Sequence, residues 1–158
     1  MVGVVKKKEK IMKFRMLLSA LLLAVGMVSV AKGADTPTEV VKKAFAATKA
    51  LDYATACKYY DGEMKKNMEI GAQRFAAMKA KADSGDENMK KALEMMKAMM
   101  ASYEIEVKSE KIDGDFAELV TVVTMNGTPR ENKGYLRKVN GEWKMISPAD
   151  YAKAKGGK

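Results

Sequence analysis

Histidine is absent from this 158-residue chain, and cysteine occurs only once. Without histidine the chain cannot form a Ser-His-Asp triad, a histidine metal site or an imidazole proton shuttle. The single Cys57 cannot form an internal disulfide, so the fold must rely on its apolar core. No histidine is present to activate this thiol, and we interpret Cys57 as a small buried residue of a helix. We expect no cofactor.

The net charge of +9 is unevenly distributed along the chain. Residues 1–33 hold seven basic residues and one acidic residue, whereas residues 34–158 hold 22 basic and 19 acidic residues. A strongly basic protein suggests nucleic acid or an anionic membrane as its partner, but most of this excess lies in the first segment. The remaining lysines fall on the solvent sides of predicted helices without interleaved aromatic residues, so we expect no nucleic-acid partner.

The first segment has the pattern of a secretory signal peptide. Two basic residues precede an uncharged run from Met16 to Ala31, and small residues follow it. This run has 16 residues, whereas a transmembrane helix needs about 20. We predict cleavage between Gly33 and Ala34, and therefore a periplasmic or secreted protein that meets the membrane only transiently, through the signal peptide.

The sequence predicts one domain after the signal peptide. Residues 34–152 form this domain, because about 125 residues suit a single core, and residues 153–158 form a disordered tail. Met12 directly precedes the basic start of the signal peptide. We hypothesise that translation starts at Met12 and that residues 1–11 are an extension assigned in error.

Hydrophobic periodicity predicts helices in the first half of the domain. Thr36-Pro37-Thr38-Glu39 has the spacing of a capping box, with proline at the first helical position. Asp52 can cap a short second helix. Residues 63–82 and 86–101 then form an α-hairpin whose apolar seam is rich in methionine.

The second half changes to a period of two, which is typical of strands. Three turn dipeptides, Asp113-Gly114, Asn126-Gly127 and Asn140-Gly141, separate apolar or β-branched runs. They predict a four-stranded antiparallel meander with strands at 102–112, 115–126, 129–139 and 142–147.

Two-residue turns would determine which side chains share a face of this sheet. One face then carries Ile105, Val107, Phe116, Val120, Val122, Tyr135, Val139 and Ile146. The other carries Ala117, Leu119, Val123, Met125, Leu136, Trp143 and Met145. Because both faces are apolar, the preceding helices can cover one, and the other needs the α-hairpin, a ligand or a second subunit in a homodimer.

Three segments together resemble a known superfamily. They are Thr36–Val41 at the start of the first helix, Leu51-Asp52-Tyr53 with Ala56 and Tyr60 on the second, and Tyr135–Ile146 in the last hairpin. With this order of elements, the chain resembles the nuclear transport factor two-like (SnoaL-like, cystatin-like) superfamily. Within it, the chain resembles secreted bacterial domains of unknown function that are grouped with lumazine-binding-like domains. Residues 62–101 are longer than the family's usual connection.

The resemblance implies an α+β fold in which N-terminal helices pack on a four-stranded antiparallel β-meander as a cone, here with an inserted α-hairpin. Members of the superfamily include isomerases, cyclases and dehydratases, and also binding modules without chemistry. The fold alone therefore assigns no function. Its enzymes generally use a pocket Asp or His with Tyr or Asp hydrogen-bond donors.

Glu118 is a weak candidate for a catalytic carboxylate. It falls on the same predicted face as Val120 and Val122, where burial would raise its pKa. The alternative is a place at the fraying start of the strand, opposite Ser109.

Four aromatic residues are candidates for binding a planar ligand. They are Tyr60, Tyr103, Tyr135 and Trp143. The alternative is that Trp143 anchors the core and that the tyrosines cover edges of the sheet.

Ten of the fourteen methionines lie in residues 34–158. Methionine thioethers bind Cu(I) in some exported proteins. However, Met68, Met78 and Met96 occupy positions where an apolar seam is needed, and methionine fills irregular contacts well. We predict core or interface packing and no metal site.

The sequence therefore predicts a non-catalytic exported module. It would bind a small ligand or an envelope protein through a cone-shaped pocket or an apolar sheet face. The alternative is a small isomerase- or cyclase-like enzyme that uses a pocket carboxylate.

The predicted signal peptide can be tested directly. N-terminal sequencing of the exported protein should begin at Ala34, because the small residues before it fit a cleavage site. An exported protein that retains residues 12–33 would contradict this prediction.

Overall fold

A computed structural model describes residues 34–156. The predicted signal peptide and the extension at residues 1–11 lie outside the described residues. Within the described part of the chain, no helix is long and apolar enough to cross a membrane. The elements are α1 (Pro37–Lys49), α2 (Tyr53–Ala56), a 3-10 turn (Cys57–Tyr59), α3 (Gly62–Asp83), α4 (Glu87–Ala101), β1 (Glu104–Asp113), β2 (Phe116–Met125), β3 (Thr128–Val139), β4 (Glu142–Ile146) and α5 (Pro148–Gly156).

Helix α1 begins at the predicted capping box. The backbone N–H of Glu39 donates to Thr36 Oγ1 at 3.2 Å, and the backbone N–H of Thr36 donates to Glu39 Oε2 at 2.7 Å. These two bonds satisfy donors that the first turn of a helix would otherwise leave free. The helix therefore starts at a defined residue and presents Val40 and Val41 to the sheet.

The sheet is the predicted antiparallel meander, in the order β1-β2-β3-β4. Met125 pairs with Thr128, and Val139 pairs with Glu142, so the two Asn-Gly dipeptides form two-residue turns. Both turn asparagines and both glycines have positive φ angles, which Asn and Gly adopt most readily. The α+β fold class is confirmed, including the inserted α-hairpin.

The first hairpin pairs differently from the prediction. Asp113 pairs with Phe116, so the turn lies one residue further along, and Glu118 lies opposite Lys111 rather than Ser109. This change moves the pairing by two positions and keeps every side chain on its face.

A β-bulge at Lys108 then shifts the pairing by one position in the first half of β1. Such a shift moves every side chain to the other face of the strand. Ile105 and Val107 therefore pack against the core that contains Leu119, and their predicted placement on the opposite face was wrong.

The core lies between α1 and this face of the sheet. Leu119 and Leu136 are fully buried there, and they pack with Val40, Val41 and Trp143 in one cluster. Among the described residues, no buried side-chain polar atom lacks a hydrogen-bond partner. Side chains of α1 and of this sheet face pack directly against one another in this cluster.

Helix α5 lies on the opposite face of the sheet, and the sequence analysis did not predict it. Ser147 caps it, because its Oγ accepts from the backbone N–H of Asp150 at 3.0 Å. The Tyr151 ring packs edge-on against Phe116 at 5.6 Å and lies 4.5 Å from the Tyr135 ring, measured between centroids. Helix α5 thus supplies part of the cover that this apolar face needs.

The same helix includes residues 153–156 of the expected disordered tail at 153–158, and residues 157–158 lie outside the described residues. The structure continues as helix through Gly156. Lys155 Nζ forms an ion pair with Asp113 Oδ2 at 2.8 Å, next to the first turn of the sheet. This contact attaches the end of the helix to the meander.

The α-hairpin of α3 and α4 buries little apolar surface. Ala82 is the one buried residue of α3, and α4 has none. Met95 is 74% exposed and Met99 is 42% exposed. The predicted methionine seam is therefore only partly closed. Cys57, which we expected to be buried, is half-buried.

Leu119→Ala should destabilise the fold strongly, by about 2–5 kcal/mol, because it leaves a cavity in the filled core. Ile112→Ala is the matched control on the same sheet face, since Ile112 is 52% exposed. It should cost less than about 1 kcal/mol. Chemical denaturation measures both, and equal losses would contradict the assignment of the core.

Candidate functional site

Four residues around the start of α3, Asp61, Glu63, Arg137 and Asp150, form a polar cluster, here called the hairpin anchor. Asp61 Oδ2 accepts hydrogen bonds from Arg137 Nε at 2.9 Å and Nη2 at 2.5 Å. Asp61 makes no side-chain capping bond to α3. Asp150 of α5 supplies that bond, since its Oδ2 accepts from the backbone N–H of Glu63 at 3.2 Å. The anchor connects the α-hairpin to β3 and α5.

Gly62 makes the close approach of Asp150 possible. A Cβ atom at Gly62 would lie 2.5 Å from Asp150 Oδ2, and the φ angle of Gly62 is +60°. Both features disfavour any other residue at this position. The carboxylate can therefore reach the first turn of α3.

The carboxylates of the anchor serve as charged acceptors. The hydrogen bond from Arg137 is the largest cause that lowers the pKa of Asp61 below its ordinary value. The hydrogen bond from the backbone of Glu63 does the same for the pKa of Asp150. A lowered pKa keeps each group ionised near neutral pH, which suits a structural role better than proton transfer.

An apolar groove, here called the hairpin groove, opens where the α-hairpin meets α2. Its volume is about 270 Å³. The Tyr53 and Phe75 rings lie 5.1 Å apart between centroids, with their planes at 54°. The lining residues are Tyr53, Gly71, Arg74, Phe75, Met78 and Met96.

Two observations show that the hairpin groove is open to solvent. Nothing lies within 4 Å of the place where a side chain at Gly71 would begin. In addition, Phe75, Met78 and Met96 are half-buried and leave apolar surface facing solvent. Burial raises the pKa of Tyr53, so its hydroxyl stays protonated and can donate a hydrogen bond.

A second groove, here called the N-terminal groove, lies beside β4 and has a volume of about 330 Å³. Three of its four charged lining residues, Asp35, Glu142 and Lys144, are already in ion pairs. Lys43 Nζ lies 2.5 Å from Asp35 Oδ1, and Lys144 Nζ lies 2.7 Å from Glu142 Oε2 and 2.8 Å from the carbonyl oxygen of Lys58. The lining residues are Ala34, Asp35, Val40, Lys58, Tyr59, Glu142, Trp143 and Lys144.

The structure does not bring the four candidate aromatic residues into one site. Trp143 lies on the core face of β4 and borders the N-terminal groove, whereas Tyr135 lies on the other face beneath α5. Tyr60 forms an isolated parallel β-bridge with Met145 of β4, and burial raises the pKa of the Tyr60 hydroxyl. Tyr103 connects α4 to β1. The alternative interpretation, core and edge packing, describes these positions better.

Glu118 lies on the sheet face beneath α5. Its Oε1 accepts a hydrogen bond from the Tyr151 hydroxyl at 2.5 Å. Burial, and then this hydrogen bond, raises the pKa of Tyr151. Glu118 lines neither the hairpin groove nor the N-terminal groove. Among residues 34–156, no group of three or more His, Cys, Asp or Glu residues could hold a metal ion.

Sequence reasoning identified part of the hairpin groove. Met78 and Met96 belong to the predicted apolar seam of the α-hairpin, but there they were interpreted as packing residues. Tyr53 and Arg74 were not identified as site residues. No local signal singles out Arg74, because charged residues lie next to apolar residues throughout α3.

No protein-family model and no curated protein matches the chain. Among solved structures, a SEC-C motif-containing protein from Rhodopseudomonas palustris is 15% identical, with a TM-score of 0.44, over 73% of this chain and 78% of that chain. An NTF2-like protein of unknown function from Cytophaga hutchinsonii is 17% identical, with a TM-score of 0.36, over 76% and 97%. An NTF2-like protein from Campylobacter jejuni is 13% identical, with a TM-score of 0.39, over 71% and 99%.

NTF2-like proteins are thus among the similar structures. At these identities and TM-scores the likenesses assign no ligand and no activity. The α+β assignment rests on the chain's own helices and its meander.

Asp61→Asn should reduce the pH dependence of stability. Because the folded-state pKa of Asp61 lies below its ordinary value of 3.8, its contribution is present above pH 3.8 and is lost as the pH falls through the folded-state pKa. At pH 7 the free energy of unfolding of the variant should be roughly 1 kcal/mol lower than that of the wild type. On acidification the variant should then lose less stability than the wild type does.

Urea denaturation between about pH 7 and pH 2 measures this dependence. Glu131→Gln, which removes an exposed carboxylate on β3, should keep the wild-type dependence. An Asp61→Asn protein with the wild-type pH profile would contradict the role of the anchor.

Proposed function

We propose that the chain is an exported binding module and that the hairpin groove holds an apolar small molecule. The observation that carries this proposal is an open groove lined by two aromatic rings and two methionines. Soluble proteins usually bury such surface, and a concave apolar surface with few polar groups is typical of ligand sites. Export is the prediction made from the signal-peptide pattern.

The lining chemistry suits a ligand that is recognised by shape and apolar contact. Met78 and Met96 have flexible thioether side chains that can adjust to an irregular molecule. Phe75 and Tyr53 offer rigid faces, and the Tyr53 hydroxyl offers one hydrogen-bond donor. The hairpin groove has a volume of about 270 Å³, which is near the lower limit for ligand sites and favours a small or narrow ligand.

The other surfaces of the domain support binding less well. Core side chains fill the space between α1 and the sheet. Helix α5 covers part of the other sheet face. In the N-terminal groove Asp35, Glu142 and Lys144 are already in ion pairs, so a charged ligand there would compete with them. The hairpin groove requires no such exchange.

The enzyme alternative has less support. An isomerase or cyclase needs a carboxylate that faces a substrate. The Glu118 carboxylate instead accepts a hydrogen bond from Tyr151 and lines neither groove. An envelope-protein partner and a homodimer stay predictions, and the exposed Met95 and Met99 are available to either.

Gly71→Leu should block the groove without harming the fold. The position is helical and open, so leucine can fill the groove, and replacing glycine within a helix stabilises it by up to about 1 kcal/mol. The affinity for the neutral fluorescent probe N-phenyl-1-naphthylamine should fall about tenfold, or roughly 1.4 kcal/mol.

A fluorescence titration of the protein purified after export measures this affinity. Ala76→Leu is the matched control, because it adds the same side chain to an exposed position of α3 outside the groove. The control should bind the probe as the wild type does. Equal affinities for Gly71→Leu and wild type, or no binding by the wild type, would contradict the proposed function.

A further inference from the structure

Arg74 is the one charged residue among the six that line the hairpin groove. Its side chain is exposed, and it forms no ion pair with any residue in the described range 34–156. Most other charges near the two grooves have a partner, as the pair of Lys144 and Glu142 does. Arg74 is therefore a positive group without an internal counter-charge beside an apolar surface.

The helical spacing explains why Arg74 stays unpaired. Residues three and four positions away on a helix are its nearest neighbours. For Arg74 these are Ile70, Gly71, Ala77 and Met78, none of which carries a carboxylate. The guanidinium can therefore turn toward a ligand without breaking an existing ion pair.

Arginine at the edge of an apolar groove favours an anion with an apolar body. A guanidinium donates two parallel hydrogen bonds to a carboxylate, which a lysine cannot match in geometry. The groove residues of α3 span seven positions from Gly71 to Met78, which is about 10 Å at 1.5 Å per residue. A short acyl chain could lie along this length with its head group near Arg74.

We infer that the ligand of the hairpin groove is a small amphiphilic carboxylate, with its chain against Phe75, Met78 and Met96 and its head group on Arg74. This inference rests on the proposed function. It adds the sign of the ligand's charge and the residue that recognises it. Because Arg74 is exposed, its contribution to affinity is modest and sensitive to salt.

Three ligands with the same ten-carbon chain and different head-group charges distinguish the contribution of charge to affinity from that of apolar contact. Decanoate, decanol and decyltrimethylammonium each compete with N-phenyl-1-naphthylamine in a fluorescence titration at low salt. The wild type should bind decanoate about fivefold more tightly than decanol and should bind the cation most weakly. This preference should decrease in 0.5 M salt, because exposed ion pairs are screened.

Arg74→Gln should abolish the preference for decanoate over decanol. Lys66→Gln is the control, since Lys66 is exposed on α3 and does not line the groove. It removes the same charge and should keep the preference.

The two proposals fail in different ways. If the wild type does not bind the neutral probe, the proposed function fails and the inference fails with it. If the probe binds but decanoate and decanol compete equally, the inference is overturned and the proposed function is retained. The inference is also overturned if Lys66→Gln and Arg74→Gln reduce the preference equally, because the effect then comes from net charge alone.

Discussion

The ion pair between Asp61 and Arg137 joins the start of the α-hairpin to β3. Arg137 follows the fully buried Leu136 on β3, so its backbone position is set by the core. Because Asp61 is held by Arg137, the capping of α3 falls to Asp150 from α5. Three distant segments thus meet at the first turn of α3. The hairpin itself has only Ala82 fully buried among its helical residues, and the anchor attaches its first turn to β3 and α5.

Because α1 and α5 pack on the two faces of the sheet, the α-hairpin is the surface to which we assign binding. Helix α1 fills one sheet face with Val40 and Val41 against Leu119, and α5 places Tyr151 on the other face. Both faces of the sheet thus have a helix packed against them. The apolar surface that stays open lies instead on the inserted α-hairpin, where small and flexible side chains leave a groove of about 270 Å³. The insertion, rather than the shared α+β architecture, carries the proposed function.

The sequence predicted those features that depend on local chemistry. The capping box at Thr36 and the two Asn-Gly turns form as expected, because each needs only a few neighbouring residues. The bulge at Lys108 was not predictable, since it depends on pairing with a distant strand. Helix α5 had a missed signal, because Ser147-Pro148-Ala149-Asp150 has the spacing of a helix start. Arg74 carries no local motif, and its place beside a groove follows only from how α2 meets the hairpin.

The central claim is that the hairpin groove, and not the sheet, holds the ligand. Nuclear magnetic resonance of methyl-labelled methionines tests it most directly, because methionines lie both in the groove and in the sheet. On titration with N-phenyl-1-naphthylamine, the methyl signals of Met78 and Met96 should shift while those of Met125 and Met145 stay in place. Shifts confined to Met125 and Met145 would contradict the account.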